Sequence, residues 1–384
     1  MVAPAPTTYA VITGGATSGH VVPALAIIEL LVEAGHARET LVYVGSDRGI
    51  ETTLVPQTGI ACVFLGVDGL QRGLSIAKIR RNLRMLPTMM RATQLATQVL
   101  VQHRPQVVVS VGGYVSAPIC RAARHLKIPV VTCSYDSKPG LATKMQARYA
   151  SAVAVAQLPS ALRRAQLTGA PVRAELRRLD RVASREASRT RLGFSADVKL
   201  VVVMGGSLGS AVLNSATESL VAHMDSPSLS NVAVLHIAGS RYMDGQQLAD
   251  VIRRADGTIQ YQRIAYSSNM NDIYSAADLV VARAGASTVA EIATVGIASV
   301  LIPWKDAAEN HQLTNAKALS DQGGAVLIEE SQLNDEVFRR QIVELLTDDA
   351  KLMKISQIAR KLGDVHRNCS IAQVVNEVAG SVPR

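Results

Sequence analysis

The stretch that decides the fold is Gly14-Gly15-Ala16-Thr17-Ser18-Gly19-His20. It follows an apolar run, Tyr9 to Ile12, and precedes an apolar-periodic segment, Val21 to Leu31, so it predicts a strand that turns into a helix. Backbone N–H groups converge at such a turn, and the helix dipole adds partial positive charge there. The turn is therefore a candidate site for a phosphate or a pyrophosphate.

The spacing of this turn excludes two common nucleotide motifs. It reads G-x-x-x-x-G, but His20-Val21 stands where a nucleoside-triphosphate loop has Lys followed by Ser or Thr. It also lacks G-x-G-x-x-G, the fingerprint of dinucleotide binding. A glycine turn of this kind also occurs for packing reasons alone, so the rest of the chain has to indicate the ligand.

Length and charge set the broad class. A chain of 384 residues, 48% of them hydrophobic, can fill two domain cores. The net charge of +9 indicates an anionic partner, which can be nucleic acid, an anionic membrane surface or a phosphorylated substrate. Aromatic residues make up only 3% of the chain, which leaves few stacking platforms for single-stranded nucleic acid.

The cysteines and the N-terminus indicate the compartment. The four cysteines form no C-x-x-C pair, which argues against a zinc site or a disulfide framework and favours a reducing compartment. Residues Met1 to Thr8 do not resemble a secretory leader. No window approaches about 18 uninterrupted apolar residues, so we expect no membrane-spanning helix.

Short apolar runs alternate with helical segments in both halves of the chain, which predicts two parallel α/β sheets. The predicted strands are Tyr9–Ile12, Thr40–Val44, Ala61–Leu65, Gln106–Val111, Ile128–Thr132, Leu200–Met204, Val232–Ile237, Ile259–Ile264, Leu279–Ala282 and Leu301–Trp304. Two further glycine turns, Gly112-Gly113 and Gly205 to Gly209, also follow strands. We expect two doubly wound, Rossmann-like domains that face each other across a cleft.

The boundary between the domains falls where the composition changes. Arginine dominates from Arg163 to Arg191, which predicts a crossover and a charged, mostly solvent-exposed helix. The predicted domains are residues 1–165 and 166–365, with a C-terminal helix of about residues 366–384 that packs back on the first domain.

Two stretches admit two interpretations each. Cations interleave with apolar residues from Leu70 to Arg91, which suits either a solvated helix face or a surface that lies on anionic lipid. Residues Arg283 to Glu291 offer N–H donors for a phosphate at a helix start. In the second interpretation Thr288 and Glu291 form a capping box, in which Glu291 merely satisfies the cap backbone.

Taken in order, these motifs resemble the MurG family of GT-B glycosyltransferases, the N-acetylglucosaminyltransferases that complete the lipid-linked peptidoglycan precursor. The resemblance runs from Gly14 to about Ala325. It rests on the three glycine turns and on Gly169-x-Pro171-Val172-Arg173, Arg283-x-Gly285-Ala286-x-Thr288-Val289-x-Glu291 and Gln312-x-x-Asn315.

The resemblance implies an inverting transferase that needs no metal or other cofactor. It would move N-acetylglucosamine from UDP-N-acetylglucosamine to the 4-hydroxyl of a polyprenyl-diphosphate-linked N-acetylmuramyl pentapeptide. The implied location is the cytoplasmic face of the cell membrane, as a peripheral protein. The implied partners are these two substrates, an anionic membrane surface and other cell-wall enzymes, and nucleic acid is not among them.

The resemblance also implies roles for individual residues. His20 and Asp136 are the candidates for catalysis. The implied donor site comprises Thr17, Ser18, Gly19, Arg173, Gly206, Ser207, Asn214, Tyr266, Ser267, Met270, Ala286, Ser287, Thr288, Glu291, Gln312 and Asn315. The implied acceptor site comprises Gly14, Gly15, Gly112, Gly113 and Tyr114. The implied membrane contacts are Leu74, Ile76, Lys78, Ile79, Arg80, Arg81, Leu83 and Arg84.

Three positions depart from the family pattern. Cys133-Ser134-Tyr135-Asp136 stands where the family usually has His-Glu-x-Asn, so Asp136 can supply a base or repel a diphosphate. Ala16 replaces a glycine and Ala170 an asparagine. Two rival functions therefore stay open: a UDP-sugar-binding scaffold without turnover, and another GT-B transferase or epimerase that acts on a soluble substrate.

Overall fold

The computed structural model describes residues 8–15, 17–67, 76–243 and 250–381, with the backbone alone for residues 76–86. The chain divides into two compact units, of which the first comprises residues up to Ala174 together with those from Asn368, and the second Glu175 to Arg367. Each unit contains one seven-stranded sheet. The predicted pair of doubly wound α/β domains is thus confirmed, although the first sheet extends past residue 165.

The sheet of the first unit is parallel throughout. Its strands are β1 (Ala10–Thr13), β2 (Leu41–Ser46), β3 (Ala61–Leu65), β4 (Val107–Ser110), β5 (Val130–Ser134), β6 (Ala152–Val155) and β7 (Ala165–Leu167). They lie in the order β3-β2-β1-β4-β5-β6-β7, so the direction of winding reverses between β1 and β4. Open α/β sheets bind ligands at such a reversal, beyond the carboxyl ends of the strands.

The sheet of the second unit has the same plan with one antiparallel edge strand, β10. Its strands are β8 (Lys199–Met204), β9 (Val232–Ile237), β10 (Val251–Arg253), β11 (Ile259–Ile264), β12 (Leu279–Ala282), β13 (Ser299–Leu301) and β14 (Val326–Leu327). Their order is β10-β11-β9-β8-β12-β13-β14, which places the reversal between β8 and β12.

Helices alternate with the strands in both units. The first unit contains α1 (Ser18–Glu33), α2 (Glu51–Leu54), α3 (Ile76–His103), α4 (Ser116–His125), α5 (Leu141–Gln146) and, from the C-terminal end of the chain, α15 (Ile371–Gly380). The short helix α6 (Ala174–Arg177) begins at the boundary, and the second unit continues with α7 (Arg181–Leu192), α8 (Ala211–Val221), α9 (Met270–Ala276), α10 (Ala286–Val295), α11 (His311–Ser320), α12 (Asp335–Thr347), α13 (Asp349–Leu362) and α14 (Asp364–Arg367). No helix among the described residues has the length and apolar character needed to cross a membrane.

Both faces of the first sheet are covered, which explains why its strands are largely unbroken apolar runs. Successive side chains of a strand point to opposite faces. Ile12 packs in a core that includes Val375 of α15, whereas Val11 packs in a separate core with Ile119 of α4. The C-terminal helix α15 is thus part of the first unit.

The arginine-rich helix α7 is mostly exposed, as predicted, with only Ser188 and Arg189 buried, but two of its arginines bind groups of the protein rather than solvent. Arg189 is only 1% exposed and pairs with Asp278 at 2.7 Å. Its Nη1 also donates to the Ala196 and Val198 carbonyls at 2.7 and 2.6 Å. Arg181 donates to the Tyr274, Ala277 and Gly296 carbonyls. These arginines satisfy carbonyl groups at chain turns and helix ends, which have no partner within their own helix.

The predicted strand Leu301–Trp304 overlaps the observed strand β13 (Ser299–Leu301) at one residue only. The observed strand β13 ends at Leu301, two residues before Pro303, which has no N–H to donate to a neighbouring strand. Four short strands, β6, β7, β10 and β14, have no counterpart in the prediction from sequence. Each has two to four residues, too few for a pattern to show.

Candidate active site

The candidate residues of the first unit follow four neighbouring strands. Glu51 follows β2, the turn Gly14-Gly15 follows β1, Gly112 follows β4 and Asp136 follows β5. Carboxyl ends of parallel strands meet at one edge of a sheet, so these groups come together at the reversal between β1 and β4.

The first glycine turn is tightly packed from below. A Cβ on Gly14 would lie 3.0 Å from the Val111 Cβ, and one on Gly15 would lie 2.3 Å from Glu51 Oε1. The buried Tyr43 hydroxyl donates a hydrogen bond to the Gly14 carbonyl. Glycine stands at both positions because no larger side chain fits.

His20 lies between the two glycine turns of this unit. Its Nδ1 is 3.1 Å from Thr17 Oγ1, and its ring would be 3.5 Å from a Cβ on Gly113. The pKa of His20 lies below its usual value because burial outweighs the charges of Asp136 and Glu51 and a hydrogen bond with the Gly15 carbonyl, all of which raise it. The imidazole is therefore neutral near pH 7 and able to accept a proton.

The second turn owes its shape to backbone conformation and a buried amide. Gly112 and Gly113 have φ values of 93° and 79°, in the left-handed region that favours glycine. Gln146 accepts from Ser110 Oγ and donates to Ser116 Oγ, both at 2.8 Å, and Ser116 donates to the Gly113 carbonyl at 2.9 Å. Gln146 thus supports the turn from beneath, a role that its place in the sequence does not reveal.

The remaining predicted residues of the first unit are placed as follows. Tyr114 and Ser18 are half-buried and Gly19 is exposed at the start of α1. Arg173 belongs to the first unit, although the predicted boundary puts it in the second. Ala16 and Leu74 lie outside the described residues. The other predicted membrane residues, Ile76 to Arg84, lie in α3, whose side chains are described only from Pro87.

The glycine turn of the second unit follows β8. Gly206 has φ 86° and is exposed, a Cβ there would have no atom within 4 Å, and Ser207 beside it is half-buried. Gly209 has φ 78°, and a Cβ there would lie 2.1 Å from the Ala238 carbonyl oxygen. Gly206 therefore leaves open space for a ligand, whereas Gly209 allows close packing.

Asn214 lies beneath this turn and is 4% exposed. Its Nδ2 donates to the Ala238 carbonyl at 3.1 Å, so its Oδ1 accepts from His236 Nε2 at 3.0 Å. His236 Nδ1 then accepts from the Tyr261 hydroxyl at 3.0 Å. Burial and the charge of Arg263 lower the pKa of His236 to about 4, which keeps the ring neutral. This network holds the β9 end against Gly209.

Arg283 connects the glycine turn to the next strand. It follows β12, is 8% exposed, and donates from Nε and Nη2 to Ser210 Oγ at 3.1 and 2.8 Å. Its Nη1 donates to Glu330 at 2.6 Å. Ser210 is the N-cap of α8, so Arg283 fixes the helix start that follows the turn.

The start of α10 excludes the capping-box interpretation of Glu291. The N-cap is Gly285, and Ala286, Ser287 and Thr288 form the first turn, so Thr288 is not a cap residue. Glu291 instead accepts from the Tyr274 hydroxyl at 2.9 Å and is half-buried. Its carboxylate is thus held in position at the end of the sheet where β8 and β12 lie side by side.

The loop after β13 brings the last predicted residues to the same edge. Gln312 Oε1 accepts from the Trp304 N–H at 3.0 Å, and buried Asn315 donates to the Ala284 carbonyl at 3.2 Å. Trp304, the single tryptophan of the chain, is 47% exposed.

Three further residues of the implied donor site follow β11. Tyr266 is 49% exposed, Ser267 accepts at Oγ from the Asn269 N–H at 3.2 Å, and Met270 opens α9. In the second unit the structure therefore brings most of the predicted donor residues to the ends of β8, β11, β12 and β13.

Several residues of these sites are given no role of their own by the prediction, Arg283 among them although it is part of a quoted motif. Arg283 and Tyr274 have detectable signals, because Arg283 is a charged residue directly after an apolar strand and Tyr274 lies in α9 near predicted contacts. Glu51, Gln146 and His236 have none, since their importance depends on which strands are neighbours.

Two doubly wound domains with glycine turns at the carboxyl ends of their strands are the architecture of the GT-B class, and the comparisons with known proteins show that the chain is a glycosyltransferase of that class. A solved structure of MurG from Acinetobacter baumannii is similar, with a TM-score of 0.68 and 26% identity over 98% of this chain and all of that one. Residues 10–155 match the glycosyltransferase family 28 N-terminal domain, and residues 200–367 match the glycosyltransferase family 28 C-terminal domain. The chain belongs to glycosyltransferase family 28.

Curated relatives cover nearly the whole chain. One from Mycobacterium bovis (strain BCG / Pasteur 1173P2) is 36% identical over 94% of this chain and 86% of its own length. One from Paenarthrobacter aurescens (strain TC1) is 34% identical over 97% of this chain and 96% of its own length. Both are named UDP-N-acetylglucosamine–N-acetylmuramyl-(pentapeptide) pyrophosphoryl-undecaprenol N-acetylglucosamine transferase.

Proposed function

We propose that the chain transfers N-acetylglucosamine from UDP-N-acetylglucosamine to the 4-hydroxyl of a polyprenyl-diphosphate-linked N-acetylmuramyl pentapeptide. The observation that carries this proposal is the 36% identity over 94% of the chain to a relative named for that reaction. Glycine turns alone indicate phosphate binding and leave the sugar and the acceptor open.

The second unit supplies the donor site of the proposal. Gly206, Ser207 and the first turn of α10 would hold the diphosphate through backbone N–H groups, and the carboxylate of Glu291 would accept from the ribose hydroxyls. Tyr266, Ser267 and Met270 would surround the nucleoside, and Gln312 and Asn315 the transferred sugar. Asn214 would support the glycine turn from below, because its amide is hydrogen-bonded to His236 and Ala238.

The first unit supplies the acceptor site and the base. The turns at Gly14 and Gly112 would hold the acceptor diphosphate, and His20 would take the proton of the attacking hydroxyl. As the hydroxyl oxygen bonds to the anomeric carbon, the bond to the UDP oxygen breaks, with inversion. Charge on the leaving diphosphate would be stabilised by the N–H groups at the donor turn.

We further propose that the protein acts at the cytoplasmic membrane surface. The basic and apolar residues of the stretch from Leu70 to Arg91 support this, since each cation near an anionic bilayer contributes about 1 kcal/mol. Cosedimentation with anionic but not with zwitterionic vesicles is the expected result, and weaker binding is expected after Arg80, Arg81 and Arg84 are changed to Gln.

The test of the function is transfer of labelled N-acetylglucosamine to a short-chain lipid-linked muramyl pentapeptide in excess chelator. We expect turnover by the wild type, a loss of about 10²- to 10⁴-fold in kcat for His20→Ala, and no change for the exposed control His125→Ala. A loss of that size in Asp136→Asn, with kcat kept in His20→Ala, would give Asp136 the role of base.

The rival functions predict other outcomes of the same assay. Binding of UDP-N-acetylglucosamine without turnover would identify a scaffold, and the exposed Trp304 is a fluorescent reporter for that binding. Turnover with a soluble acceptor and none with the lipid-linked one would identify another transferase of the fold.

A further inference from the structure

A buried carboxylate lies beneath the first glycine turn and has no part in the chemistry described so far. Glu51 is the first residue of α2 and is 0% exposed. Charged side chains are almost never fully buried without a specific interaction. Placing one under a turn that is to hold an anionic diphosphate also calls for a reason, because like charges repel.

The contacts of Glu51 lead directly to the catalytic imidazole. Its Oε1 accepts from the Ser46 N–H at 3.2 Å and lies so close to Gly15 that a Cβ there would be 2.3 Å away. The Gly15 carbonyl oxygen and His20 Nδ1 lie against the same glycine, at 3.3 and 3.5 Å from where a Cβ on Gly113 would stand. Any movement of the Glu51 carboxylate would therefore shift the peptide group beside the imidazole.

The His20 ring has a further neighbour on its own side of the turn. Its Nδ1 is 3.1 Å from Thr17 Oγ1. The imidazole is thus held between the Gly15 peptide group, Gly113 and Thr17.

The charges around the ring come from two elements. Asp136, in the loop after β5, and Glu51, in α2, both raise the pKa of His20, and Asp136 has the larger influence. Asp136 is half-exposed, whereas Glu51 is fully buried, so salt and water screen the Glu51 charge less. Glu51 also raises the pKa of Tyr43, after the larger effect of burial, which keeps the phenol protonated as the donor to the Gly14 carbonyl.

We propose that Glu51 is a positioning residue for the transfer reaction, which holds the Gly15 carbonyl and the His20 ring in place and stabilises the imidazolium that forms in the reaction. The proposal rests on the proposed function. The O–H bond of the acceptor breaks, its proton passes to the His20 imidazole, and its electron pair forms the new bond to the anomeric carbon, while the UDP oxygen leaves with the electron pair of the old bond. The developing positive charge then lies beside a buried negative one, so the barrier falls.

The test is Glu51→Gln in the full chain, with the exposed Glu39→Gln as the matched control. The titration of His20 is followed by NMR on histidine-labelled protein, with the signal assigned by its loss in His20→Asn. Glu51→Gln is expected to move the His20 midpoint to lower pH by roughly 0.5–1 pH unit, because an attractive charge is lost. Glu39→Gln is expected to leave it in place.

Kinetics give the second measurement. In Glu51→Gln we expect kcat to fall about tenfold, the acidic limb of the pH profile to move to lower pH with the NMR midpoint, and KM for the donor to stay constant. Glu51→Asp, which keeps the charge, is expected to restore the midpoint and part of kcat. Loss of kcat with an unmoved His20 midpoint would overturn the proposal and leave Glu51 a packing residue.

A cavity variant separates charge from shape and covers the case in which Glu51→Gln does not fold. In Glu51→Ala, formate is expected to restore the His20 midpoint and kcat, whereas the neutral formamide is not. Equal rescue by both would overturn the proposal. The NMR titration needs no substrate, so it gives its answer even if the chain proves to have no transferase activity.

Discussion

The two units begin alike, with a strand, a glycine turn and a helix, yet different side chains support the two turns. Beneath Gly14 and Gly15 lie the carboxylate of Glu51 and the hydroxyl of Tyr43. Beneath Gly209 lies a neutral network of Asn214, His236 and Tyr261. The first turn thus has a carboxylate beneath it and a titratable imidazole beside it, whereas the side chains beneath the second turn are held neutral.

The backbones of the two turns differ as well. Gly14 and Gly15 are outside the left-handed region and are glycine for lack of space, whereas Gly206 and Gly209 have φ values of 86° and 78°. Arg283, which donates twice to Ser210, lies beside the second turn, and its charge is balanced by Glu330. A second turn that stays neutral suits an anion held unchanged through the reaction. The first suits a site where a proton moves.

The largest effect that tests this contrast is expected at Gly209. Gly209→Ala introduces a Cβ 2.1 Å from the Ala238 oxygen at a φ of 78°, and should destabilise the second unit by about 2–5 kcal/mol. Gly206→Ala, with the same kind of φ but open space, is the matched control and should cost about 1–2 kcal/mol. Urea unfolding followed by Trp304 fluorescence reports on the second unit.

Titration with UDP-N-acetylglucosamine further distinguishes Gly206→Ala from Gly209→Ala. Gly206→Ala should weaken UDP-N-acetylglucosamine binding by more than its small loss of stability suggests, because the methyl group occupies the space left for the diphosphate. Equal losses of stability in the two variants would refute the packing role of Gly209. Unchanged donor affinity in Gly206→Ala would place the diphosphate elsewhere.

The next largest effect is the pH dependence of stability that His236 causes. It tests whether this histidine, under the second turn, is neutral. Burial and Arg263 lower the pKa of His236 from 6.5 to about 4 in the folded protein. Between these values the unfolded state binds the proton and the folded state does not. The stability that the neutral His236 ring contributes is therefore fully present above pH 6.5 and is lost as pH falls toward 4. Over this range the free energy of unfolding should fall by about 3 kcal/mol.

Urea unfolding by Trp304 fluorescence at pH 7, 5.5 and 4 measures this loss. His236→Gln should make the second unit less stable at pH 7 and reduce its dependence on pH. His366, whose pKa is also lowered to about 4 by burial and Arg367, contributes in the same direction, so His366→Gln is the necessary companion variant. A pH dependence that is the same in His236→Gln as in the wild type would contradict a neutral buried imidazole.

How far the sequence predicts this molecule depends on whether the deciding contact is local. The predicted strands Val232–Ile237 and Leu279–Ala282 have the bounds observed, because a strand buried on both faces is a nearly unbroken apolar run. The prediction of a mostly exposed α7 misses the roles of Arg181 and Arg189, because the Tyr274 and Ala276 carbonyls that accept from them lie 93 and 87 residues further along the chain. Such partners cannot be read from the helix itself.

The candidate sites show the same limit. The glycine turns, His20 and the start of α10 are visible in the sequence because a local pattern carries their chemistry. Glu51 opens the short helix α2 after a polar stretch, and its significance depends on β2 lying beside β1. Likewise, the sequence predicts that Asn214 contacts the donor. The structure shows its amide oxygen hydrogen-bonded to His236, which lies on the neighbouring strand β9.

The smallest expected effect concerns the carboxylate of the second unit. The contrast between the turns requires Glu291 to act as a hydrogen-bond acceptor that is held still, and the buried Tyr274 hydroxyl, 2.9 Å away, supplies one of its supports. Tyr274→Phe removes that hydrogen bond and leaves the ring. A hydrogen bond to a charged group contributes about 1.5–3 kcal/mol, of which positioning for the ribose is a part.

We therefore expect KM for UDP-N-acetylglucosamine to rise by roughly 3- to 10-fold in Tyr274→Phe with kcat unchanged, since the ribose contact is the same in the ground state and the transition state. Tyr261→Phe is the control, because it also removes a buried hydroxyl of this unit, but one that donates to His236. If both variants raise KM equally, the effect comes from general loosening of the sheet. If Tyr274→Phe lowers kcat and leaves KM unchanged, Glu291 acts on the reacting sugar, and the second unit shares in the chemistry assigned to the first.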